Sequence, residues 1–196
     1  MDLVVRESGR DLPAFDEGSF VDGRRSLLSL GEGKSHFIGS LLERREKQIA
    51  VDGGARLNIL AVDVYYRSFT AFIERIVRRG SPQSRYSTNY RSSRFQDMDL
   101  RDENGQHMLF DEIISSWSMN FIVERTNGIE LQALYRALAH LKPGGVIRVW
   151  PITNSVWEPI IERLYAEGLI SDHINQSAPY SRSKSVANFV MLRKKQ

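Results

Sequence analysis

Residues 26–45 read SLLSLGEGKSHFIGSLLERR. A short apolar run (Leu27, Leu28, Leu30) ends in Gly31-Glu32-Gly33, and an amphipathic stretch with Phe37, Ile38, Leu41 and Leu42 follows. That order predicts a buried strand, a glycine turn and a helix. Glycine lets the backbone approach a ligand with no Cβ in the way. The free N–H groups at a helix start then face an anion or a polar group. The segment is a candidate nucleotide- or cofactor-binding loop near the start of an α/β domain.

Three ligand chemistries compete for this loop. A phosphate-cradling P-loop needs a glycine five positions before Gly33, and Leu28 stands there, inside the strand. A dinucleotide loop needs a third glycine where His36 stands. The related loop for S-adenosylmethionine fits without either residue. A glycine turn that binds nothing is the fourth reading.

Outward from the loop, the second apolar run is Ile59-Leu-Ala-Val-Asp63-Val64. Such runs suit strands buried on both faces of a parallel sheet. An acid at the end of this strand can accept from both ribose hydroxyls of a nucleoside ligand. Asp52 lies 21 residues beyond Gly31 and Asp63 lies 32 beyond it. Asp63 is preferred because it ends the better strand. Residues 67–79 have helical periodicity, and 81–95 read as a polar loop. Asp97 and Met98 follow, an acid and an apolar side chain suited to an adenine amine and ring face. The next strand ends in Ser115-Ser116-Trp117, at the edge where open α/β sheets bind ligands. Residues 130–141 form an amphipathic helix stopped by Lys142-Pro-Gly-Gly145. A strand at 146–150, a helix at 156–167 and strands near 169–174 and 186–193 complete the pattern. Strands alternating with helices argue for a parallel sheet covered on both faces. The last two strands are expected to pair antiparallel at one edge.

The chain has 196 residues, enough for one domain and one core. Residues 1–25 are expected to be an irregular or partly helical lead-in and 26–196 a single domain. No apolar run approaches the roughly 18–20 residues of a membrane span. The first twenty residues are too acidic and broken for a signal peptide, so a cytoplasmic location is expected. With no cysteine, disulfides, thiolate metal sites and a cysteine nucleophile are excluded. His36, His107, His140 and His173 are scattered, which favours surface or packing roles, and no metal site is expected. The formal charge of +3 does not by itself argue for nucleic acid. One segment is locally basic. Arg67, Arg75, Arg78, Arg79, Arg85, Arg91 and Arg94 face one acid, Glu74, with Tyr86 and Tyr90 among them. Such a segment can bind RNA or an acidic partner. The alternative is a solvated helix face and loop.

Together LLSLGEG, ILAVD, FDEIISSWS, ALYRALAHLKPGGVIRV and SVANFVMLRK resemble the motifs of the class I, Rossmann-like S-adenosylmethionine-dependent methyltransferases. They cover residues 26–195 in family order, and LKPGG is the most specific piece. The resemblance implies a three-layer α/β fold, with a mostly parallel seven-stranded sheet and an antiparallel C-terminal strand. It implies S-adenosylmethionine as cofactor. Leu30, Gly31, Glu32 and Gly33 would pass its amino acid and ribose, and Asp63 with Val64 would hold the ribose. Asp97 and Met98 would flank adenine, and Ser115 and Trp117 would line the methyl-transfer side. Ser29 stands where the family often has an acid. The Asn/Asp-Pro-Pro-aromatic motif for amino groups on bases is absent. No catalytic residue is identified, because a base is needed only where the acceptor must lose a proton. A small-molecule acceptor is the first expectation. The rivals are a cofactor-binding module without turnover and an RNA methyltransferase.

Overall fold

The computed structural model describes residues 5–7, 10–12, 25–31, 59–62, 89–91, 95–116, 118–129, 131–179 and 186–196. The apolar runs become strands where the sequence places them. LLSL forms β3 (Leu27–Leu30) and ILAV forms β4 (Ile59–Val62). Three strands lie where none was expected. β1 (Val5–Glu7) and β2 (Arg10–Leu12) pair antiparallel as a separate ribbon inside the lead-in. β5 (Asn89–Arg91) lies in the segment read as a loop and pairs parallel with β4. Its Asn-Tyr-Arg sequence carries no apolar pattern, and its place at the sheet edge explains why none is needed.

The remaining strands are β6 (Phe110–Ser116), β7 (Leu141–Ile152), β8 (Ile170–Pro179) and β9 (Val186–Lys194). Neighbours in the main sheet run β5-β4-β3-β6-β7-β9-β8. The β5–β4, β4–β3, β3–β6 and β6–β7 pairs are parallel, whereas β9 runs against both β7 and β8. The expected antiparallel pair is present, but β9 lies inside the sheet and β8 holds the edge.

Strand alternation divides the core in two. One face carries Leu28, Leu30, Ile113, Ile147, Val149, Val190 and Leu192 into the large core. Three helices supply most of its other side. α1 (Met119–Arg125) contributes Met119 and Val123, α2 (Gln132–Ala139) contributes Leu134 and Leu138, and α3 (Asn154–Ala166) contributes Trp157, Ile161 and Leu164. The other face carries a smaller cluster of Val146, Trp150, Phe189 and Met191. It also holds the buried carboxylate of Glu112, which accepts from Arg148 Nε and lies 3.5 Å from Arg25 Nη2.

The LKPGG segment corrects its sequence reading. α2 ends at Ala139, not at Leu141, because His140 leaves the helix to form other bonds. Nε2 of His140 accepts from the Leu100 N–H at 3.2 Å, and its Nδ1 lies 2.9 Å from the Met108 carbonyl. Leu141 already pairs with Phe110, and pairing resumes at Val146 with Glu112. Lys142 to Gly145 therefore bulge out opposite Asp111 alone. A Cβ on Gly145 would lie 2.9 Å from the Lys142 carbonyl oxygen and 3.0 Å from that of Asp111, so the bulge admits only glycine there.

Lys142 serves the bulge and not the helix end. Its Nζ donates to Asp111 Oδ2 at 2.8 Å, and the Ser26 N–H and hydroxyl donate to the same oxygen at 2.8 Å each. Burial pushes the Asp111 carboxyl up, but the bonds from Lys142 and Ser26 outweigh it and hold the group below its ordinary value. A lowered folded pKa adds stability above the unfolded carboxylate range, and that stability is lost as pH falls through the folded value. Asp111→Asn is expected to flatten this part of the acid limb when urea midpoints are measured from pH 6 downward. An unchanged slope would show that the clamp contributes nothing.

Candidate functional site

The carboxyl ends of the parallel strands meet at one line. Leu30 pairs with Val62 on one side and with Ser115 on the other. From β3 the chain goes to β4 and β5 on one side, then crosses to β6 on the other. The crevice outside the strand ends at such a reversal is where open α/β sheets bind ligands.

Gly31 is the first residue past β3 and adopts φ +68°. A Cβ there would lie 1.9 Å from Ser118 Oγ, 2.1 Å from Ser118 Cβ and 3.0 Å from Phe95 Cζ. Gly31 thus touches the 3-10 turn Phe95–Asp97 and the start of α1 together. The Ser118 hydroxyl donates to the Gly31 carbonyl at 2.6 Å. Ser115 Oγ accepts the Met119 N–H at 2.8 Å, which satisfies one of the free donors at the α1 start.

Of the residues expected to form a site, Leu30, Gly31 and Ser115 stand at this rim, while Asp97 ends the 3-10 turn whose Phe95 meets Gly31 and Met98 follows it. Their exposures differ. Asp97 is exposed, whereas Leu30 and Met98 are buried in the core. The Met98 side chain, expected to cover a ring, is 0% exposed and packs on core neighbours. Ser115 is 1% exposed, and its hydroxyl serves the helix start. Glu32, Gly33, Asp52, Asp63, Val64 and Trp117 lie outside the described residues, as do His36 and the basic segment apart from Asn89–Arg91. Val62, which precedes Asp63, ends β4 at the same rim.

Ser118 was not singled out in the sequence. Its only signal was a hydroxyl residue just past a strand end. Nor was Glu124, which joins α1 to α3. Its carboxylate accepts from the Thr153 N–H at 2.6 Å, the Thr153 hydroxyl at 2.9 Å and the Trp157 indole at 3.2 Å.

Asp99, His107 and His140 bring three potential metal-ligand atoms within 4.8 Å of one another. The hydrogen bonds argue against a metal. Both nitrogens of buried His140 are engaged with the backbone. Arg101 donates to Asp99 Oδ2 at 2.9 Å and lies 3.2 Å from His107 Nε2. That Arg101 bond is the main reason the Asp99 carboxyl sits below its ordinary value. His140 is a packing residue, as its scattered context suggested.

No family model matches the sequence, and no curated protein is significantly similar to it. Solved structures do resemble it. The N-methyltransferase NodS from Bradyrhizobium japonicum WM9, in complex with S-adenosyl-L-homocysteine, superposes with a TM-score of 0.50 at 14% identity, over 88% of this chain and 79% of that one. The O-methyltransferase TomG from Streptomyces achromogenes, in complex with SAM, gives 0.53 at 14%, over 88% and 74%. The O-methyltransferase from Bacillus cereus, in complex with SAH, gives 0.53 at 17%, over 87% and 74%. The fold is the α/β, Rossmann-like fold of the class I S-adenosylmethionine-dependent methyltransferases.

Proposed function

We propose that this chain is an S-adenosylmethionine-dependent methyltransferase acting on a small-molecule acceptor. The observation that carries the reading is Gly31, whose left-handed backbone meets Ser118 and Phe95 at the strand reversal and leaves no space for a Cβ. The order of the strands supports the complete seven-stranded sheet of that family.

The cofactor would supply an electrophilic methyl group on a sulfonium. The protein's part is then proximity and alignment. Leu30 to Gly33 would run beside its amino acid and ribose, with Asp63 and Val64 at the ribose hydroxyls. Exposed Asp97 would accept from the adenine amine. Ser115 and Trp117 would border the transfer side, with Ser115 acting by fixing the α1 start. A cytoplasmic location accords with the want of any membrane-length apolar helix among the described residues.

Titration calorimetry with S-adenosylmethionine and S-adenosylhomocysteine tests this reading, with saturable one-to-one binding expected for both. No heat at millimolar ligand would remove it. Binding with no transfer to any acceptor class would favour a cofactor-binding module instead.

A further inference from the structure

A cavity of about 370 Å³ opens on the sheet face that carries the smaller cluster. Strand alternation puts Arg148 of β7, Met191 and Arg193 of β9 and Ile174 of β8 on this face, and all four line the cavity. Its volume suits a small molecule. Arg25, two residues before β3, and Gly144 of the LKPGG bulge also line it, where the parallel strands begin. Gly31 and the strand reversal lie at the other end of those strands.

The arginines have donors to spare. Arg148 and Arg25 both reach the buried Glu112 carboxylate, but Arg148 bonds it through Nε alone. Its two Nη groups remain available, on a side chain that is 12% exposed. Arg193 donates through Nη1 to the Gly144 carbonyl at 3.1 Å, a neutral acceptor that leaves its charge unanswered. Asp172 stands across from Arg193 on β8 but lies outside the lining. Arg193 pairs with Val146 and Met191 with Arg148, so the two arginines are diagonal neighbours, within reach of long side chains. Like charges this close repel, and an anion between them turns the repulsion into two attractions. A carboxylate offers two oxygens in one plane, enough for one guanidinium fork. A phosphate monoester offers three oxygens and close to two negative charges, enough for both forks. Beside them Met191, Phe189 and Ile174 form an apolar wall.

We propose that this cavity binds a phosphate monoester with an apolar body. Arg148 and Arg193 hold the phosphate between them, and the body lies on Met191, Ile174 and Phe189. This is a second site on the molecule, and it stands whether or not the strand ends bind S-adenosylmethionine.

Phenyl phosphate, benzoate and inorganic phosphate, titrated separately into the protein, test it, with the arginine Nε–H signals followed by 15N–1H NMR. Phenyl phosphate is expected to shift the Arg148 and Arg193 signals saturably. It should bind about tenfold tighter than benzoate, which serves one fork, and than inorganic phosphate, which has no apolar body. Arg193→Met alters an exposed position. It should melt close to the parent and weaken phenyl phosphate about tenfold. Arg148→Lys keeps a cation beside Glu112 but removes the fork, and should weaken it by a similar factor. Unmoved Arg148 and Arg193 signals at about 10 mM phenyl phosphate overturn the proposal. So does benzoate binding as tight as phenyl phosphate, or parent affinity in Arg193→Met. Displacement of phenyl phosphate by S-adenosylhomocysteine also overturns it, because the ligand would then sit at the strand ends.

Discussion

Gly31→Ala is expected to disable ligand binding at the strand ends and to destabilise the fold together. Alanine at φ +68° costs about 1–2 kcal/mol in backbone strain alone. Its Cβ would also overlap Ser118, at 1.9 Å from Oγ, so the loop or the α1 start has to shift. Overpacking of this kind adds about 1–3 kcal/mol. The same shift breaks the bond from Ser118 to the Gly31 carbonyl. Urea unfolding should show a loss of about 2–5 kcal/mol, and calorimetry should show no S-adenosylmethionine binding. Adding Ser118→Gly removes the clashing atoms, so the double variant should recover the steric part and keep the backbone part. A Gly31→Ala protein that binds the cofactor normally would place the site elsewhere.

The second large effect is expected at the buried ion pair. The Arg148 and Glu112 side chains are 12% and 1% exposed, on neighbouring strands. Arg148→Met leaves the carboxylate in the interior, and breaking a buried pair from one side costs about 3–5 kcal/mol. Arg25 remains 3.5 Å from the other carboxylate oxygen and should hold the loss near the lower end. Replacing both partners, Glu112→Leu with Arg148→Met, should recover most of it, because an apolar pair of similar volume needs no counter-charge. A loss below about 1 kcal/mol in Arg148→Met would mean that solvent reaches Glu112.

These two sites also mark what the sequence makes legible. β3 and β4 are readable because continuous apolar runs are needed wherever a strand is buried on both faces. Gly31 is readable because glycine after such a run signals a close approach. Glu112 is not: it interrupts the apolar pattern of FDEII, and its partners Arg148 and Arg25 are distant in sequence. α1 is hidden for a similar reason. It is seven residues long, and its start is served by Ser115 from the preceding strand and is tied to Gly31 through Ser118. LKPGG shows how a correct residue pattern can mislead on geometry. Proline and glycines after a helix suggest a stop, yet here they form a bulge, because Leu141 is already bonded to the sheet. The site follows the same division. Single-residue signals such as Gly31 and Asp97 are visible, whereas the pairing of Ser118 with Gly31 and the junction at Glu124 depend on tertiary contact.

The placement of β9 sets the sequence of events by which the sheet is completed. β9 is later in the chain than β8 but lies between β8 and β7. On a ribosome, β8 emerges first and has no strand to join until β9 has left the exit tunnel. Synthesis at about 5–20 residues per second leaves that interval at the scale of a second or more. During it the β7 edge, with Val149 and Ile147 on one face, stands uncovered. Chaperone capture of nascent chains should therefore peak with β7 and β8 exposed, and fall once Val186–Lys194 docks between them.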